Sequence, residues 1–139
     1  MTDKKNDQKT GGQLAIRTLA MPSDTNPNGD IFGGWVISQM DLAGLSIARK
    51  VAKGRVTTVA IDKMVFLSPV HVGDFICCYV ELVKTGRTSI TVLIETFATD
   101  ELSGCRRHVT EGVFTYVAID AQGKPTVLPE CPTDKMKNQ

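Results

Sequence analysis

The chain has 139 residues, 42% hydrophobic and 22% charged, the make-up of one ordinary globular domain. A net charge of +1 offers no electrostatic case for nucleic acid or an anionic membrane surface as partner. No run approaches the ~20 apolar residues of a spanning helix, and the polar start Met1-Thr2-Asp3-Lys4-Lys5 lacks a signal-peptide core, so the expected setting is the cytoplasm without membrane insertion.

Residues 1–12 and 129–139 are polar and rich in Lys, Asn and Asp, and are expected to be flexible tails around a single domain spanning 13–128. A first strand is expected over 14–21, stopped by Pro22. The loop over 23–32 is dense in Asp, Asn, Pro and Gly and turns repeatedly. The spacing then predicts a helix over 34–51, ended by Lys53 and a C-terminal glycine, Gly54. Four β-rich runs follow, over 56–67, 75–84, 88–98 and 107–119, with Gly-containing turns between them. Strands this long suggest a curved sheet. Thr88, Ile90, Val92 and Ile94 put apolar groups on one face, where the single helix could pack. The rest of the sheet and its edges then need covering, so an obligate homo-oligomer is expected.

Asp41 stands out within the helix. Ile37, Met40, Gly44, Ile47, Ala48 and Val51 recur at three- and four-residue steps, an amphipathic stripe, and Asp41 falls inside it. None of the residues three or four positions away is a cation, so no ion pair along the helix accounts for it. An acid facing a core costs several kcal/mol unless something pairs with it or uses it. Shielded from water, a carboxylate becomes a stronger base, able to activate water or attack a carbonyl.

The helix entrance, Phe32-Gly33-Gly34, supplies complementary chemistry. The first N–H groups of a helix lack intrahelical partners and carry partial positive charge. Two residues without Cβ would let an acyl carbonyl approach them closely. Asn26 lies in the preceding loop, where an Asn commonly bonds its own backbone. Cys77, Cys78, Cys105 and Cys131 have no metal-ligand spacing, so reduced, partly buried thiols and no metal are expected. Asp62 is read as structural, on the pleat face of Ala60 and Met64. His71 and His108 are read as ordinary loop and strand residues.

The order strand, Gly-Gly helix, four strands, together with Met21-Pro22-Ser23-Asp24-Thr25-Asn26, Gly29-Asp30-Ile31-Phe32-Gly33-Gly34-Trp35, Met40-Asp41-Leu42-Ala43-Gly44, Val59-Ala60-Ile61-Asp62-Lys63-Met64, Pro69-Val70-His71-Val72-Gly73-Asp74 and Gly86-Arg87-Thr88-Ser89, resembles the hotdog-fold acyl-CoA thioesterases, in particular the YciA-like single-domain bacterial group. The resemblance covers roughly residues 14–120. It implies an α+β hotdog fold, one long central helix wrapped by a curved five-stranded antiparallel sheet. It also implies hydrolysis of acyl-CoA to free acid and coenzyme A, with no cofactor beyond the coenzyme A of the substrate. Asp41, Asn26 and Gly34 become the expected catalytic residues, Asp41 and Asn26 coming from different subunits of a shared site. Gly33, Arg87, Thr88, Ser89 and Arg106 become expected binding residues for the thioester and the coenzyme A phosphates. A dimer is the expected active unit and a hexamer, a trimer of dimers, the expected assembly. Phe32 stands where many hotdog enzymes carry His, which excludes histidine chemistry there. A non-catalytic acyl-CoA-binding or sensor module of the same fold is the alternative.

Overall fold

The computed structural model describes residues 11–130. They form strand β1 (Gln13–Leu19), a single 3-10 turn (Pro22–Asp24), helix α1 (Gly33–Ala52), and strands β2 (Val56–Phe66), β3 (Asp74–Thr85), β4 (Ser89–Asp100) and β5 (Arg106–Ala118). The five strands make one sheet in the order β1-β3-β4-β5-β2, and every neighbouring pair is antiparallel. This is the hotdog arrangement, one helix laid across one face of an antiparallel sheet. The expected tails lie outside the described residues except for Gly11, Gly12, Pro129 and Glu130. No helix among the described residues is long and apolar enough to cross a membrane.

Alternation along the strands decides which face the helix covers. Ile90, Val92 and Ile94 of β4 are fully buried, as are Ile76 and Cys78 of β3 and Phe114 and Tyr116 of β5. They pack against Val36, Met40, Ala43 and Ala48 of α1 in one core. Each pair of neighbouring strands carries at least one register shift, which adds twist and lets long strands curl around the helix. After β5 the chain turns back: Ile119 bridges Pro125, and Leu128 N donates to Arg87 O at 3.0 Å.

Two local expectations are corrected. The left-handed residue at the helix end is Lys53 (φ 53), whose N–H reaches Arg49 O, and Gly54 follows it. The αL cap is thus made by a lysine, one position earlier than glycine preference suggests. The second concerns β2, whose register shifts between Thr58 and Ala60 and again between Asp62 and Val65; Lys63 adopts φ 55 in the second bulge. Asp62 therefore shares a face with Ala60 but not with Met64, whose sulfur faces Gly112 on the helix side. Of the thiols, Cys77 and Cys78 are buried but Cys105 is exposed, and all three are free. Burial pushes the Cys78 thiol up to about 11. Cys131 lies outside the described residues.

Candidate active site

Asp41 sits at the margin of the buried stripe of α1, half-buried rather than enclosed. Its partners come from the sheet. Thr58 Oγ1 donates to Asp41 Oδ1 at 2.7 Å, and Tyr116 OH approaches the same Oδ1 at 3.0 Å and the Asp41 backbone carbonyl at 2.8 Å. Thr58 and Tyr116 are opposite one another across the β2–β5 ladder, so adjacent strands bring two hydroxyls to one oxygen. Among the described residues, no hydrogen-bond partner meets Asp41 Oδ2. The phenol is buried, and that burial, reinforced by the Asp41 charge, lifts its pKa far above the usual tyrosine range. It remains a protonated donor throughout the working range.

The helix entrance is open. Phe32 caps it without a side-chain hydrogen bond; its N–H is held by Asp24 O at 3.1 Å. The amides of Gly33, Gly34 and Trp35 thus begin the helix without intrahelical partners. A Cβ on Gly34 would meet nothing within 4 Å, whereas one on Gly33 would touch the Phe66 ring at 3.4 Å. Beside these amides lies a cavity of about 440 Å³ lined by Asp30, Ile31, Gly33, Val36, Phe66 and Val70 among others. Its walls are mostly apolar, with the amides at its rim.

Asn26 spends its side-chain oxygen locally, accepting from Asn28 N at 2.9 Å and Asp30 N at 3.1 Å. The same bonds fix the amide: Oδ1 faces the loop, so Nδ2 is the group turned away from it. Gly34 and Asp41 are seven residues apart, about 10 Å along the axis at 1.5 Å per residue. One bound carbonyl therefore cannot touch the entrance amides and the carboxylate of the same chain at once.

The coenzyme A candidates lie further off. Arg87, Thr88 and Ser89 stand at the β3–β4 hairpin, next to a groove of about 470 Å³ lined by Lys50, Lys53, Leu82, Arg87 and Leu128 among others. That groove flanks the C-terminal end of α1, roughly 28 Å from its N-terminus. Arg106 is not near it. Its guanidinium lies 4.0 Å from the centroid of Phe97 and 5.4 Å from that of Tyr79, on the sheet face away from the helix. Arg106 pairs with Thr99, ten positions along β4 from Ser89, about 33 Å away. His108 lies on that far face too, stacked on Phe97 with Nε2 3.9 Å from Glu95 and 3.5 Å from Glu111. His71 N donates to Asp74 Oδ2 in a turn. Neither histidine approaches Asp41. Thr58 and Tyr116 were not singled out from sequence; a tyrosine on the inward face of an apolar strand, needing a partner for its hydroxyl, was the available signal.

The model of the thioesterase superfamily matches residues 28–105, more than half of the chain. The chain belongs to the thioesterase superfamily. Within it, the chain is 52% identical over 126 residues to the acyl-CoA thioester hydrolase YciA of Salmonella typhimurium, covering 88% of this chain and 95% of that one. Among superfamily structures it is similar to the hexameric thioesterase of Yersinia pestis, at 55% identity and a TM-score of 0.84 over 88% of this chain and 100% of that one. It is similar also to a hexameric hotdog fold thioesterase of Campylobacter jejuni, at 42% identity and a TM-score of 0.81 over 94% of this chain and 97% of that one.

Proposed function

We propose that the chain hydrolyses acyl-CoA thioesters at sites shared between two copies, with Asp41 of one copy facing the helix entrance of the other. That it is an acyl-CoA thioester hydrolase rests on its superfamily and on 52% identity to YciA across nearly the whole of both chains. The mechanism rests on geometry. The carrying observation is that Asp41 is tied by Oδ1 alone, which leaves Oδ2 to take a proton from water or to attack the thioester carbonyl. Entrance amides at Gly33 and Gly34 stabilise the oxyanion that forms, and Asn26 Nδ2 polarises the carbonyl or orients the water.

The separations along α1 support composite sites. Its amides, its carboxylate and the Arg87 hairpin lie in sequence along some 28 Å of one helix, and a two-fold axis brings opposite ends of two helices together. The exposed edge of β2 suits such pairing: Val59, Val65 and Leu67 are each more than half exposed, and Leu42 on the helix is 52% exposed. Arg87, Thr88 and Ser89, with Lys50 and Lys53 beside the groove, receive the coenzyme A phosphates. Three such dimers complete a hexamer; the Yersinia pestis and Campylobacter jejuni thioesterases are hexameric. Free thiols at Cys77, Cys78 and Cys105 fit a reducing cytoplasm.

The test is release of free thiol from a panel of acyl-CoAs by the native chain and Asp41→Asn. Turnover is expected to fall at least ~100-fold, the scale of a lost general base, with coenzyme A still bound. Unchanged turnover would remove Asp41 from the mechanism, and binding without hydrolysis by the native chain would make the protein a sensor. A single turnover in ¹⁸O-water identifies a carboxylate nucleophile where label enters Asp41, which requires water to open the mixed anhydride at the Asp41 carbonyl; opening at the acyl carbonyl labels the released acid, as general-base hydrolysis does.

A further inference from the structure

Three groups meet beneath Asp41. Tyr116 OH lies 2.8 Å from its backbone carbonyl and 3.0 Å from Oδ1, and Thr58 Oγ1 lies 2.7 Å from Oδ1. Gly44, one turn further along α1, leaves the space the phenol occupies. A Cβ there would stand 2.3 Å from Tyr116 OH and 2.8 Å from Ile94 Cδ1, far inside contact distance. No other glycine of the helix meets the sheet in this way: a Cβ on Gly34 finds open space and one on Gly33 touches only a ring edge. The glycine thus sets how deeply the phenol reaches under the helix.

We propose that Tyr116, admitted by Gly44 and paired with Thr58, is a positioning residue that pins Asp41 by Oδ1 and so presents Oδ2 to the thioester. This rests on the reading of Asp41 as the catalytic carboxylate and adds what orients it. A half-buried carboxylate on a helix has freedom about its last torsion. Thr58 Oγ1 on Oδ1, with the single Tyr116 proton shared between Oδ1 and the Asp41 backbone carbonyl, restricts that freedom and leaves the second oxygen's lone pairs directed outward. Tyr116 is suited to this because its proton does not leave in the working range, so it holds Asp41 without competing for the reaction.

The experiment compares kcat and KM of the native enzyme, Tyr116→Phe, Asp41→Asn and the double variant. In Tyr116→Phe, kcat is expected to fall about 10-fold with KM within twofold, a loss confined to the transition state. In the Asp41→Asn background the phenylalanine adds no further loss, since it acts through Asp41. Gly44→Ala, which displaces the phenol, lowers kcat in the same way. A folded Tyr116→Phe with kcat within twofold of native overturns the proposal. Full activity in Asp41→Asn overturns the proposed mechanism instead. If Tyr116→Phe does not fold, Thr58 carries the comparison: Thr58→Ser, which keeps a hydroxyl, is expected to be at least ~10-fold faster than Thr58→Val, and equal rates overturn the pin.

Discussion

Asp41 and Glu95 are both partly withdrawn from water, but their surroundings differ. Asp41 meets two hydroxyl donors. Glu95 lies across the β4–β5 ladder from Glu111, with His108 alongside. Desolvation raises the Glu95 carboxyl above its usual range, Glu111 and Glu81 push the same way, and His108 only partly offsets them. A raised acid binds its proton more tightly folded than unfolded. Its contribution to stability is therefore complete below the ordinary glutamate value and is lost as pH rises through the raised one. Glu95→Gln should accordingly be more stable than the native protein at pH 7 by ~0.5 kcal/mol, the scale of a like-charge cross-strand pair, with no advantage near pH 4. Melting curves at the two pH values check this; an advantage equal at both would refute it. At this scale the sequence made Asp41 visible, because a charge in a three-and-four stripe breaks a local pattern. It could not supply the partners, since Thr58 and Tyr116 lie 17 and 75 residues downstream and are joined only by strand pairing. The turn bonds to the Asn26 oxygen, by contrast, are the ones expected of an Asn in such a loop.

Elements were more legible than contacts. One helix and five strands fall where hydrophobic period and turn chemistry place them, with ends displaced by a residue or two, the usual scatter of such boundaries. Expectation failed inside β2, where bulges break the alternation on which face assignments depend. β2 is also one of the two edge strands: it pairs with β5 alone, and Val65 on its outer portion is 57% exposed. In a shared-sheet dimer that edge is buried, so Val65→Lys should leave the isolated fold intact and weaken association. Scattering mass is the measurement. A shift from hexamer toward the 15.1 kDa chain is expected, and an unchanged assembly would move the contact elsewhere.

In the proposed shared-site arrangement the working groups are distributed along one helix, so each chain would serve two sites and complete neither. Two separately crippled chains should therefore restore each other. Gly34→Val fills the open space over the entrance amides, and Asp41→Asn removes the carboxylate. A mixed dimer of the two holds one doubly damaged site and one intact site. With random pairing, half the dimers are mixed and half their sites are whole, so co-assembly should recover about a quarter of native turnover. No recovery above the separate variants would place both groups in sites made by one chain. The architecture also depends on a cancellation within β2. Each bulge shifts the strand's pattern of inward and outward side chains by one, much as an inserted base shifts the frame of a message. The second shift undoes the first, so Thr58 under Asp41 and Phe66 against Gly33 face the same way. Loss of one residue at either bulge would throw everything beyond it to the wrong face, and loss of a residue at the other would bring it back. This wall of the site is written as a pair of compensating insertions, and a single-residue deletion in β2 has its natural suppressor four positions away.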